Sequence, residues 1–230
     1  RPNTGKKQRL LRAAFGVLFE DDDILVINKH AGIAVHEGKE ILKDRSILGM
    51  LEATYRSRGI VPKLVHRIDK ETSGILVVAK KDAVAEDLEV KFDKGEVEKE
   101  YLALVIGRLY PKQGGIDFPL PGRAGRPVPA LTHYKVEREL PATSLVRVKI
   151  ETGRMHQIRL HFAQLGHPVV MDDEHGDFAF NKRFRKRYGL KRQFLHASSV
   201  AFELRGKKRK WTAPLADDLT QTLRSLGEDV

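Results

Sequence analysis

The residues best suited to chemistry are His66-Arg67-Ile68-Asp69, a basic pair and a carboxylate within four positions, followed by Lys70 to Gly74 and the aliphatic run Ile75 to Ala79. This pattern puts reactive groups on a loop whose far end is fixed by a buried-type strand. Asp69 has two readings. Asp two residues from an Arg, just before a strand, is a common turn residue or surface ion pair. It is equally a carboxylate nucleophile or base kept ionised by a nearby cation. A protein-kinase catalytic loop also combines His, Arg and Asp, but here Ile68 separates Arg from Asp. No Asn follows at the metal-binding spacing, and there is no glycine-rich loop or Val-Ala-Ile-Lys strand.

Composition limits the partners. The 230 residues suffice for one large domain or two tightly joined lobes. Forty-two Lys and Arg against 31 acids give +11 and a pI near 9.8, which favours a polyanion, nucleic acid ahead of a membrane, though many small proteins are simply basic. Without Cys there are no disulfides, thiolate metal sites or cysteine nucleophiles. No apolar run spans a bilayer and no secretory signal opens the sequence, so a cytoplasmic location is expected.

Periodicity supplies the elements that must hold the Asp69 loop. Val17-Leu18-Phe19 and Ile24 to Ile27 read as strands around an acidic turn, and Asn28 to Gly32 turn into Ile33 to His36. Ser46 caps a helix with Ile47, Leu48, Leu51 and Tyr55 on one side. Asp82 caps a second, with Val84, Leu88 and Phe92 inward, expected to pack on the strand after Asp69. Leu102 to Ile106, Leu131 to Arg138 and Leu145 to Ile150 read as strands. Leu109 to Ala130 reads as a long loop in which Arg123 and Arg126 are RNA candidates. A helix over Met155 to Leu165 has Met155, Ile158, Phe162 and Leu165 as its buried stripe. Arg159 lies beside that stripe, where an unpaired guanidinium is costly, so it needs an anion. Phe178 to Gln193 interleave seven basic residues with aromatics, as RNA surfaces do and as a solvated basic helix does too. A closing strand pair over Phe194 to Thr212 and a helix over Asp217 to Leu226 follow. The run Asp172 to Asp177 holds four acids and His175, but its spacing fits neither a calcium loop nor a zinc site.

His-Arg-Ile-Asp-x-x-Thr-Ser-Gly before an aliphatic strand resembles the signature of the bacterial large-subunit ribosomal pseudouridine synthases of the A/C/D type. The matches continue in order: Asn28-Lys29, Gly32, Val35-His36, Lys99-Glu100-Tyr101, Thr152-Gly153-Arg154-Met155-His156-Gln157-Ile158-Arg159-Leu160-His161, Gly166-His167-Pro168, Leu195-His196-Ala197 and Ala213-Pro214. Two positions depart from the family pattern: His30 stands where proline is usual, which implies a looser loop, and His175 where an aromatic is common.

The resemblance implies a mixed α/β pseudouridine-synthase fold, a long bent, mostly antiparallel sheet with flanking helices and a central RNA cleft. Residues 1–14, with five basic residues and no acid, read as a basic arm ahead of a catalytic domain, 15–230. The resemblance makes Asp69 the catalytic carboxylate, Arg159 its partner, and Tyr101 the ring that stacks on the target base. Arg67 becomes the side chain that enters the vacated stack; His66, Thr72, Lys99, Arg154 and His156 are further RNA contacts, and Ile75 and Leu195 the apolar pocket wall. The implied reaction is isomerisation of uridine to pseudouridine in structured RNA, foremost large-subunit rRNA, by a monomer with no cofactor, metal or membrane. A non-catalytic RNA-binding or ribosome-assembly module is the alternative. A glycoside or nucleoside hydrolase would need a second carboxylate as general acid, which no motif couples to Asp69.

Overall fold

The computed structural model describes residues 11, 13–38, 41–122 and 125–227. Strands β1 (Phe15–Glu20) and β2 (Ile24–Lys29) form a hairpin. Its turn is set by the Asp21 carboxylate, which accepts the N–H groups of Asp23 and Ile24 at 2.9 Å. Helix α1 (Ile47–Tyr55) starts at Ser46, whose hydroxyl accepts the Gly49 N–H, while Ala34 and Val35 carbonyls take the first helical N–H groups. The short β3 (Lys63–Leu64) and the wholly buried β4 (Ser73–Ala79) flank the Asp69 loop. Helix α2 (Asp82–Asp93) follows; its N-cap is Lys81 and not Asp82, whose carboxylate pairs with Lys63 instead. Next come β5 (Glu98–Ile106), β6 (Gln113–Ile116), the small β7 (Leu120–Pro121) and β8 (Pro127–Val128) ribbon, β9 (Thr132–Leu140) and β10 (Thr143–Ile150). The expected long loop thus holds three short strands; Arg126 is exposed there, and Arg123 lies outside the described residues. Helices α3 (Gln157–Gln164) and α4 (Phe178–Tyr188), strands β11 (Leu195–Leu204) and β12 (Lys207–Thr212) and helix α5 (Asp217–Ser225) complete the chain.

The large sheet runs β1-β2-β4-β11-β5-β10-β9-β6, with β3 and β12 added beside β4 and β11. Among the described strands only β4 and β11 pair in parallel, over Ser73↔His196 and Gly74↔Ala197. That brief seam joins the two halves of the sheet. Side-chain alternation then sorts the core by face. Leu76 and Val78 of β4, Tyr101, Ala103 and Val105 of β5, and Val146 and Val148 of β10 share one face with α1 and α3. Ile75 and Val77 point the other way, against Val84, Ala85 and Leu88 of α2, and Leu104 and Leu145 meet α4 and α5. Among the described residues no helix is long and apolar enough to cross a membrane.

Most of the residue 1–14 arm lies outside the described residues, but its end belongs to the folded body. Ala14 is buried and accepts the His30 N–H, while His30 Nδ1 stands 3.0 Å from the Ala13 carbonyl. His30 therefore ties the loop down where a looser path was expected, using a backbone N–H that proline lacks.

Candidate active site

The site is built where the seam ends. The loop before β4 turns at the Thr72 N–H to Asp69 carbonyl bond, and two buried cations clamp it. Lys29, with no exposed surface, donates its ammonium to the carbonyls of His30, Ile33 and Lys70 at 2.8, 2.9 and 2.9 Å. Three donors meet three acceptors. Burial pushes this ammonium down, to about 7, against the pull of Glu71 and Asp69. On the other side Arg192 holds Asp218 through Nε and Nη2 at 2.7 and 2.8 Å and donates to the Glu71 carbonyl and the Ser73 hydroxyl. Thr72 spends its hydroxyl accepting from Gln193.

Asp69, half-buried, meets Arg159 from α3: Nη1 donates to Asp69 Oδ2 at 3.1 Å. The same guanidinium grips Asp172 bidentately, both bonds 2.8 Å, and reaches Glu174 at 2.9 Å. The buried arginine has its anion, and two more that the sequence did not announce. Burial alone would raise the Asp172 carboxyl, but Arg159 and the backbone amides of His175 and Glu174 outweigh it and hold it below the usual range. Asp172 fixes the plane of the guanidinium, which leaves one edge aimed at Asp69. Replacing Asp172 with Asn should therefore cost about 2 kcal/mol of stability by the loss of charge-assisted bonds, with turnover falling further than RNA affinity. Denaturant titration beside single-turnover kinetics checks both. Because the Asp172 carboxyl is depressed, its contribution is present above its unfolded value and fades as pH falls through its folded one.

A cleft of about 300 Å³ opens over this pair. Tyr101 of β5 is buried at its floor. Burial, helped by the Asp69 charge, pushes its phenol up, so the ring carries an O–H at neutral pH. His66 stacks on Phe92 with ring centroids 4.6 Å apart and accepts the Val77 N–H on Nε2 at 2.8 Å; burial drives it down to about 3, leaving a neutral wall residue. Lys99 stands over Phe92 at 5.7 Å, with no carboxylate among the described residues in ion-pair reach. Arg67 and Arg154 are exposed at the mouth, Arg154 Nε donating to the Pro129 carbonyl.

Two expectations need correction. Ile75 does not line the cleft; strand alternation sends it beneath α2, and Ile68, Ile150 and Ile158 join Leu195 as the apolar wall. Met155 is 68% exposed, because His156 adopts a left-handed backbone with φ 52° and α3 begins only at Gln157. The sequence also missed Lys29 and Arg192 as clamps: a basic residue gives no local sign that it is buried.

The comparisons bear directly on this arrangement. Residues 23–164, which carry the loop, β4, Tyr101 and Arg159, match the family model described as RNA pseudouridylate synthase. The chain belongs to the RNA pseudouridylate synthase family. It is thus an isomerase that acts on RNA. Its relatives include ribosomal large subunit pseudouridine synthase C of Haemophilus ducreyi, 36% identical over 98% of this chain and 73% of that one. The protein of the same description from Escherichia coli strain K12 is 34% identical over 95% and 72%. Human RNA pseudouridylate synthase domain containing 4 superposes with a TM-score of 0.81 at 23% identity, over 98% of this chain and 97% of that one, a likeness of fold.

Proposed function

We propose that this protein converts uridine to pseudouridine in large-subunit ribosomal RNA, with Asp69 as the group that acts on the sugar. The observation that carries this is the Asp69 carboxylate held 3.1 Å from Arg159 at the head of a cleft floored by Tyr101. The reaction breaks the bond from N1 to C1′, turns the detached base within the site, and joins C5 to C1′. The proton lost from C5 balances the one gained at N1, so no cofactor enters. Two routes use the same carboxylate: attack on C1′, or removal of the C2′ proton to give a glycal. Both need an ionised oxygen in a water-poor cleft, and Arg159 stabilises that charge.

A uridine inside folded RNA must leave its stack at a cost of a few kcal/mol, and stacking on Tyr101 returns about 1 to 3 kcal/mol. Arg67, exposed two residues from Asp69, fills the gap or grips the next phosphate. Relatives named for the large ribosomal subunit support that RNA as substrate. The same reading has the protein work in the cytoplasm as a monomer. Carbodiimide labelling with primer extension on unmodified large-subunit rRNA tests the reading. New stops at discrete uridines are expected; their absence, with RNA binding intact, would move the protein to the RNA-binding or assembly class.

Lys99 adds a pH signature. Burial lowers its ammonium to about 8, and phosphate is met by the protonated form. Below that pH the charge is already present; above it, binding must take up a proton, so RNA affinity should fall by up to about tenfold per pH unit. Lys99→Met should flatten this component of the profile in binding titrations between about pH 7 and 9.

A further inference from the structure

Beside Asp69 and Arg159, His156, Glu174 and His175 bring one ligand atom each within 4.8 Å of one another. His156 Nδ1 lies 2.9 Å from His175 Nε2 and 3.5 Å from Glu174 Oε2, and His175 Nε2 lies 3.7 Å from Glu174 Oε1. Atoms about 2.0 to 2.1 Å from a tetrahedral zinc ion stand about 3.4 Å apart, so a rotation of the Glu174 carboxylate that brings one oxygen to both imidazoles completes three corners of such a site. We infer that His156, Glu174 and His175 bind a divalent transition metal of the zinc class, and that occupation inhibits the enzyme.

The local chemistry favours a cation. Three carboxylates, Asp69, Asp172 and Glu174, share one guanidinium, which leaves a surplus of negative charge. Glu174 can turn away from Arg159 at little cost: its side chain is 58% exposed, and Arg159 keeps its bidentate bond to Asp172. Two imidazole nitrogens 2.9 Å apart require a proton between them, whereas a metal ion accepts both lone pairs. The ligand loop is also set in advance, because Asp172 Oδ1 accepts the N–H groups of both Glu174 and His175. His156 and His175 are partly exposed, which gives the ion an entry path and water a fourth position.

Inhibition follows from the tautomer and rests on the Asp69 reading; the binding does not. Metal on Nδ1 of His156 puts its proton on Nε2, which faces Asp69 Oδ1 at 3.9 Å. The ion also adds positive charge beside the carboxylate that must react, on a residue that lines the same cleft. The sequence concealed the site, because its acids and His175 have no ligand spacing until the backbone at His156 turns that ring toward them.

The test uses untagged full chain and zinc itself, titrated against a chromophoric chelator, with Co²⁺ absorption to report tetrahedral geometry. Wild type should take one ion at micromolar concentration, and His175→Phe or Glu174→Gln should weaken it by at least about tenfold. His175→Phe should keep the zinc-free rate of pseudouridine formation and lose its inhibition by zinc. Unchanged affinity in both variants, or no stoichiometric ion in wild type, overturns the site. Binding that leaves the wild-type rate untouched overturns the inhibitory role. Failure of the catalytic reading would show separately, as no pseudouridine in the absence of zinc.

Discussion

Asp69→Asn stops pseudouridine formation, with single-turnover rates down by on the order of 10⁴-fold or more, while the chain folds and still binds RNA. The amide keeps the size of the carboxylate and an oxygen that accepts from Arg159, but it has neither the charge nor the electron pair that either route requires. Stability should hold because Arg159 retains Asp172 and Glu174. Removing a negative charge from a cleft that receives RNA should, if anything, tighten binding at low salt. Rates of pseudouridine appearance at a mapped uridine, read beside filter-binding affinity, separate the two effects. A variant within tenfold of wild type would remove Asp69 from the chemistry and leave the cleft as a binding surface.

What the sequence could show depended on whether neighbours in space were neighbours in the pattern. The Asp69 loop, β4 and α2 were legible together because Ile75, Val77 and Ala79 and the Val84, Leu88, Phe92 stripe meet in one cluster. Arg159 was legible as a charge in need of an anion because helix periodicity put it beside Ile158 and Phe162. Its strongest partner was not: Asp172 lies 13 residues on, in a loop without period, among acids that look alike. Lys29 and Arg192 were hidden for a different reason. Their burial is decided by carbonyls gathered from separate segments, His30, Ile33 and Lys70 for one, Glu71 and Leu195 for the other. Met155 was misplaced because the left-handed residue that starts α3 late is a histidine and not a glycine, so nothing marked the break.

The seam carries the other large effect. Gly74 sits at φ 114°, a region L residues rarely enter, where β4 meets Ala197 of β11. A Cβ there would overlap the Ala197 carbonyl oxygen and stand 2.7 Å from its nitrogen. Backbone, unlike a side-chain tip, has no rotamer by which to yield. Gly74→Ala should therefore cost about 4 kcal/mol, combining backbone strain with an overpacked contact. Gly166→Ala is the control, since it shares a positive φ, 82°, but has nothing within 4 Å; about 1 to 2 kcal/mol is expected there. Urea unfolding of both variants measures the difference, and equal losses would mean the strands slide apart without strain. The functional consequence is sharper than the stability one. Both sides of the reaction depend on this point, because Asp69 enters from the loop before β4 while Leu195 begins β11 and Tyr101 pairs with Ala197. Where Gly74→Ala stays folded, its Asp69 should be displaced from Arg159, so turnover should fall at least about a hundredfold.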